Sequence, residues 1–406
     1  MPRRGDYRLT NDKWHTRIMG ANLIKIPALS ELLTRRSEKW RAFPNDVLPL
    51  PVAEMDFPVA QPIREVLLEM INNSDLGYLG NIPEMGPAFA GFAQRRWNWT
   101  VNPGYVRVAT DVGVAVVELL RVFAGPKNKV LISSPVYQNF YTWINETKVE
   151  MVDVPFLVDC LASDGTGWSH DWDGIEKAYA DGISVHLICS PHNPLGKVYS
   201  SADLRRIIAL AKKYKVIVIS DEIHAPLTFK DQPFIPLLSL GDDAADIGVS
   251  VTAASKGWNI AGLKCAIVIS QSDSLHNKLN ELPPAMHYRA SLLGAFATVA
   301  AFEKGEAWLD AALEILDENR HLISKLISTK VPAIGYRIPH SSYLAWLDLS
   351  NLNLGEDPGL ALIEKAKVAF NSGHIYGQLG KNHVRLNFAT SPAIITEAIE
   401  RIARVL

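Results

Sequence analysis

The sequence predicts an α/β protein, a mainly parallel sheet with helices on both faces and a smaller α+β domain beside it. Three observations carry that expectation. Short apolar runs suited to buried strands recur at 183–190, 216–220, 248–252 and 265–269. A helical period, with Leu204, Ile207, Ile208 and Ala211 on one face, separates the first two. After about residue 285 the alternation gives way to one long amphipathic stretch and then to short alternating runs.

Taken in order, residues 1–45 are polar and irregular and end at Phe43-Pro44-Asn45. The run Ile183–Ser190 reads as a buried strand because it stops at Ser190-Pro191, where proline has no N–H for a ladder. Ser200 followed by Asp203 has the spacing of a capping box, which opens a helix running through Tyr214. Strands follow at Val216–Ser220, Gly248–Thr252 and Cys265–Ile269. A single long helix is expected over Glu303–Ile327, then strands within Tyr343–Leu349 and His383–Asn387. The expected division is a large domain over 46–285 and a small one built from 1–45 together with 286–406.

With 406 residues, 48% of them hydrophobic and 21% charged, the chain has ordinary globular usage, which excludes disordered and fibrous classes. Its formal net charge of −2 implies no basic surface, hence no nucleic-acid partner. The three cysteines, Cys160, Cys189 and Cys265, have no paired spacing and fit buried thiols in a reducing compartment. The basic start Met1–Asp6 has no apolar region behind it, and no run reaches membrane-spanning length. A soluble cytoplasmic protein is expected.

The chemistry concentrates where strands end, the place where open α/β sheets bind ligands. Lys256 follows the apolar run Val249–Val251 and sits among small neighbours, Ala253, Ala254, Ser255 and Gly257, which leave room for a planar group. Such an amine suits a Schiff base with an aldehyde cofactor; the competing reading is a solvated surface lysine. Asp221 ends the run Val216–Ser220, and a buried acid there requires a cationic partner such as a protonated ring nitrogen. His224, three residues on, can reach the ring's oxygen edge or a water. Asn193, in Ser190-Pro-His-Asn193-Pro-Leu-Gly196, offers an amide at a fixed place. Gly113 and Val114 precede the helical run Ala115–Phe123, and free N–H groups at a helix start attract phosphate. Tyr137 can stack on a ring face or fill the core. Arg385, within the apolar run Val384–Asn387, calls for a carboxylate, from a substrate or from an internal salt bridge.

As a set, these residues resemble the fold-type-I pyridoxal phosphate (PLP) enzymes, the aspartate aminotransferase superfamily. The order Gly77-Tyr78, Gly113, Tyr137, Asn193, Asp221, Lys256, Arg385 covers nearly the whole chain. Within it, Ala53-Glu-Met-Asp-Phe57, Gly77-Tyr-Leu-Gly80, Pro191-His-Asn-Pro194, Ser220-Asp-Glu-Ile-His224 and Asn259-Ile-Ala-Gly-Leu263 are closest to the cystathionine β-lyase-like carbon–sulfur lyases. The resemblance implies PLP as cofactor and the catalytic set Lys256, Asp221 and Tyr137. It implies cofactor contacts from Asn193, Gly113, Val114, His224, Ser255 and Lys264, and substrate contacts from Arg385 and Asn193. Tyr78 is implied to reach a neighbouring subunit's phosphate, hence a homodimer with shared sites.

The chain departs from the superfamily at Ala253, where a serine is usual, and at Lys264, where an arginine is usual; Thr252 or Ser255 is expected to replace the missing hydroxyl. Pro51 stands where subgroup members carry tryptophan. The implied reaction is α,β-elimination of a sulfur amino acid to thiol, pyruvate and ammonia. Two alternatives stand beside it: an aminotransferase, whose dicarboxylic substrate would need a second arginine such as Arg289, and a regulator that holds PLP without turnover.

Overall fold

The computed structural model describes residues 23–162 and 164–406, so the basic start Met1–Asp6 lies outside the described residues. Seven strands form the central sheet: β1 (Val106–Ala109), β2 (Lys129–Ile132), β3 (Glu150–Asp153), β4 (Ile183–Cys189), β5 (Ile217–Asp221), β6 (Gly248–Thr252) and β7 (Ala266–Ile269), in the spatial order β1-β7-β6-β5-β4-β2-β3. Strands β2 to β6 pair in parallel, while β7 is antiparallel to both of its neighbours. The strands read as continuous apolar runs because both faces are covered. Ile219 packs into one apolar layer with Val116 and Leu120 of helix α1 (Val112–Phe123). Its neighbour Val218 packs into the opposite layer with Leu204 and Ile207 of helix α2 (Ser201–Tyr214). The capping box expected at Ser200 is present, with Asp203 as its second member.

Two expectations change. Helix α1 opens at Val112 rather than Ala115, because the Asp111 carboxylate accepts from the Val114 N–H at 2.8 Å and caps the turn. The long helix expected over Glu303–Ile327 is two, α3 (Leu292–Lys304) and α4 (Glu306–Lys330), broken at Gly305. There the Trp258 indole donates to the Gly305 carbonyl at 2.9 Å, and a Cβ would lie 2.4 Å from that indole nitrogen. A second sheet holds β8 (Gly335–Tyr336), β9 (Leu344–Asp348), β10 (Asn371–Ser372) and β11 (His383–Asn387) in the antiparallel order β8-β9-β11-β10. No helix among the described residues is long and apolar enough to cross a membrane.

The strand-free segment from Pro51 to Asp56 crosses between the sheets, and side chains satisfy its carbonyls. Arg385 and Asn371 donate to Pro51, and Asn387 donates to both Val52 and Glu54. Lys256 and Tyr343 donate to Ala53, Asn259 to Met55, and Arg35 to Met55 and Asp56. The Asp56 side chain is tied down in turn. It pairs with Lys39 at 2.9 Å, both groups fully buried, and accepts from the Trp40 indole at 3.1 Å. Burial draws the Lys39 pKa below its ordinary value, against the pull of Asp56.

Removing one partner of a buried ion pair strands the other charge. Asp56→Ala is therefore expected to cost about 3–5 kcal/mol, read as a fall in the urea midpoint; a loss below about 1 kcal/mol would show that Lys39 reaches water instead.

Candidate active site

A cavity of about 440 Å³ opens at the carboxyl ends of β4, β5 and β6. Lys256, Asp221, Asn193, His224, Tyr137 and Arg385 line it, from both sheets. Gly113, Ser255 and Lys264 line it as well, so one space gathers most of the residues singled out in the sequence.

Lys256 lies in a single helical turn, Ala254–Gly257, directly after β6. Its amine donates to the Ala53 carbonyl at 2.9 Å. Burial, reinforced by the positive charge of Arg385, draws the amine down to about 8. Asp221 is buried at the end of β5, where its carboxylate accepts the Ile223 N–H at 3.1 Å. Burial raises this acid to about 7, with that hydrogen bond and Lys256 opposing the rise. A cationic ring N–H is the kind of group that would restore its charge.

Arg385 comes from β11 and is buried. Its Nη1 donates to Asn193 Oδ1 at 3.1 Å and its Nη2 to the Pro51 carbonyl at 2.8 Å, while Nε is buried without a partner. No acidic side chain pairs with it among the described residues, which overturns the internal salt bridge considered from sequence. The planar fork is thus held by neutral oxygens and keeps its full positive charge for an anion.

His224 shares a hydrogen bond of 3.1 Å between Nδ1 and the Ser342 hydroxyl, and burial lowers it to about 3, so the ring is neutral. The Tyr137 hydroxyl accepts from Asn139 at 2.9 Å and is raised by burial to about 12. Trp143 meets the Tyr137 ring edge-on at 5.7 Å. Cys189 and Cys265 also line the cavity, but burial raises both thiols, Cys265 to about 11, so neither supplies a thiolate.

At the far wall, α1 points its first turn at the cavity. A Cβ on Gly113 would lie 2.9 Å from the Trp143 ring, so packing requires the glycine there. Lys264 pairs with Asp111 at 3.1 Å. Of the two candidate hydroxyls, Ser255 lines the cavity; Thr252 is buried behind it, donating to the Glu222 carbonyl at 3.0 Å. The Val114 N–H is engaged by Asp111, and the Val114 side chain is turned outward. Tyr78 is fully exposed and does not line the cavity of its own chain. Arg289 is exposed and away from the cavity too.

Sequence reasoning missed Asp111, Trp143 and Asn371 in the lining. Asp111 carried a readable signal, an N-cap residue type just ahead of an apolar helical run. Asn371 carried none, since its place depends on the register of β10 against β11. With its amine drawn down to about 8, Lys256 is expected to reach half-maximal reactivity toward an amine-labelling reagent near that pH in cofactor-free protein, well below the ordinary 10.5. Peptide mass spectrometry across a pH series reads this; reactivity rising in step with exposed lysines would overturn it.

A family model described as aminotransferase class I and II matches residues 45–402. A Mycobacterium leprae protein, provisionally described as a cystathionine beta-lyase, is 36% identical over 410 residues, covering 96% of this chain and 99% of that one. The cystathionine beta-lyase of Corynebacterium glutamicum is 33% identical over 385 residues, covering 94% and 100%. Among solved structures, a PLP-bound C–S lyase from Staphylococcus hominis superposes with a TM-score of 0.84 at 26% identity, covering 93% and 98%. Both the matched span and the extent of these relatives run nearly end to end: this chain belongs to the class I and II aminotransferase family.

Proposed function

We propose that this chain is a PLP-dependent carbon–sulfur β-lyase that cleaves a cystathionine-like or cysteine S-conjugate substrate to a thiol, pyruvate and ammonia. The observation that carries it is one cavity holding a buried amine lowered to about 8, a buried acid raised to about 7 and a buried guanidinium with an unpartnered Nε. The residues fit PLP: Asp221 suits its ring nitrogen, Lys256 its aldehyde, and the first turn of α1 with Lys264 its phosphate. When bound, the cofactor supplies an aldehyde for the substrate amine and a ring that accepts the electron pair released at Cα.

In this reading Asn193 and His224 hold the ring oxygen, Tyr137 covers one face, and Gly113 and Ser255 complete the phosphate cup, while the Val114 N–H stays with Asp111. A neighbouring subunit's Tyr78 reaches that cup, which accounts for a tyrosine fully exposed in its own chain. The unit is then a homodimer, with the active site set between a large domain over 46–285 and a small one over the remainder, working in the cytoplasm.

Arg385 binds the substrate carboxylate through Nε and the fork, because its protein partners are neutral oxygens. That grip orients the Cα–H bond toward Lys256. The Lys256 amine takes the Cα proton; a buried amine lowered to about 8 is present in part as the free base at neutral pH. The Cβ–S bond breaks, sulfur leaves with the bonding pair and takes up a proton, and water converts the remainder to pyruvate and ammonia. Elimination needs no clamp for a distal carboxylate. Among the described residues Arg385 is the one arginine lining the cavity, which favours elimination over transamination of a dicarboxylic acid.

The deciding experiment mixes cofactor-loaded protein with L-cystathionine and no keto acid. Sustained pyruvate release supports the lyase. A single turnover that resumes on adding a keto acid supports an aminotransferase, and bound cofactor without product supports a regulator. Lys256→Ala is expected to lose both the visible absorbance of bound cofactor and at least about 10³-fold in activity. Arg385→Gln is expected to raise KM by about tenfold or more, with a smaller fall in kcat.

A further inference from the structure

The wall of the cavity formed by α1 carries a charge that the proposed function does not use. The first turn of a helix leaves backbone N–H groups without partners inside the helix, and its dipole favours an anion. Here an anion is already supplied from within the chain. Asp111 lines the cavity; one carboxylate oxygen takes the Val114 N–H at 2.8 Å and the other takes the Lys264 amine at 3.1 Å. One N–H of the helix end and the lysine, both features that attract a phosphate, are therefore engaged by a carboxylate. The side-chain charges of Asp111 and Lys264 sum to zero, so the cup offers a dianionic phosphate ester no net side-chain charge.

The Asp111–Lys264 pair is not locked. Asp111 is 34% exposed and Lys264 is 58% exposed, and an ion pair so open to solvent is weak and rearranges readily. The remaining donors, the N–H groups of Val112 and Gly113 and the Ser255 hydroxyl, are neutral. Gly113 packs against Trp143, where a Cβ would lie 2.9 Å from the ring, and the Asp111 carboxylate is kept at the turn by the Val114 N–H.

We propose that Asp111 is a positioning residue that sets the grip on the cofactor's phosphate by competing with it. A phosphate ester entering this cup must share the helix end with the Asp111 carboxylate and draw Lys264 away from it. The phosphate is consequently held more loosely than the same cup would hold it without that charge. The inference rests on the reading of the cavity as a PLP site.

The test is the dissociation constant of PLP, and separately of pyridoxal, which lacks the phosphate. It is read by absorbance and by quenching of tryptophan fluorescence, with Trp143 in the cavity wall. Asp111→Asn removes the charge and keeps an oxygen that caps the helix; Asp111→Ser does the same with a different side chain. Both variants are expected to bind PLP about tenfold more tightly than the parent at low ionic strength, with pyridoxal unchanged. The gap should narrow as salt screens the charge. Unchanged or weaker PLP binding in both variants, or an equal shift for pyridoxal, would overturn the role of Asp111 while leaving the PLP site intact. A parent protein that binds neither compound would overturn the PLP reading itself and this inference with it.

Discussion

Everything at the cavity depends on how the backbone from Pro51 to Asp56 is held. This stretch has no strand or helix to satisfy its carbonyls, and a buried backbone oxygen without a donor is costly. Its donors come from three distant parts of the sequence: Arg35 and Lys39, then Lys256 and Asn259, then Tyr343, Asn371, Arg385 and Asn387. Asn259 grips Met55 with both ends of its amide, at 2.8 Å each, from a left-handed backbone conformation that asparagine tolerates. The same bonds that fix the segment therefore fix Lys256 and Arg385 relative to each other, although one sits in the turn after β6 and the other in β11 of the second sheet.

The electrostatics follow from that enclosure. Burial disfavours the charged form of the enclosed Lys256, Asp221 and His224, so the lysine falls to about 8, the aspartate rises to about 7 and His224 falls to about 3. Lysine and aspartate are brought toward the same pH from opposite directions. A group that is neutral or charged at small cost can exchange a proton with a substrate, and it gains its charge when a partner of opposite sign arrives. At Arg385 the protein partners are neutral oxygens, which leaves the guanidinium available for a carboxylate.

The elements most legible in the sequence were those governed by local chemistry. The strand Gly248–Thr252 and the capping box at Ser200 stand where the pattern put them, because period and capping act over a few residues. The break at Gly305 was not legible, since what requires it is the indole of Trp258, 47 positions away. Thr252 and Ser255 were equivalent in sequence; the end of β6 turns the first toward Glu222 and the second toward the cavity. The Arg385 salt bridge failed for a like reason, as its partners are a side-chain amide and a carbonyl that no pattern places beside β11.

The sequence by itself determined the layered α/β architecture and the residue types at the strand ends, because apolar periodicity and an unpaired Lys, Asp or Arg in an apolar run are visible one residue at a time. Tertiary structure alone decided which of those groups face one another, what their burial does to their charge, and that Asp111 shares a wall with Lys264. Those outcomes depend on distances between segments far apart in the chain, set by the crossing of Pro51–Asp56 between the two sheets and by the register of β11 against β9 and β10.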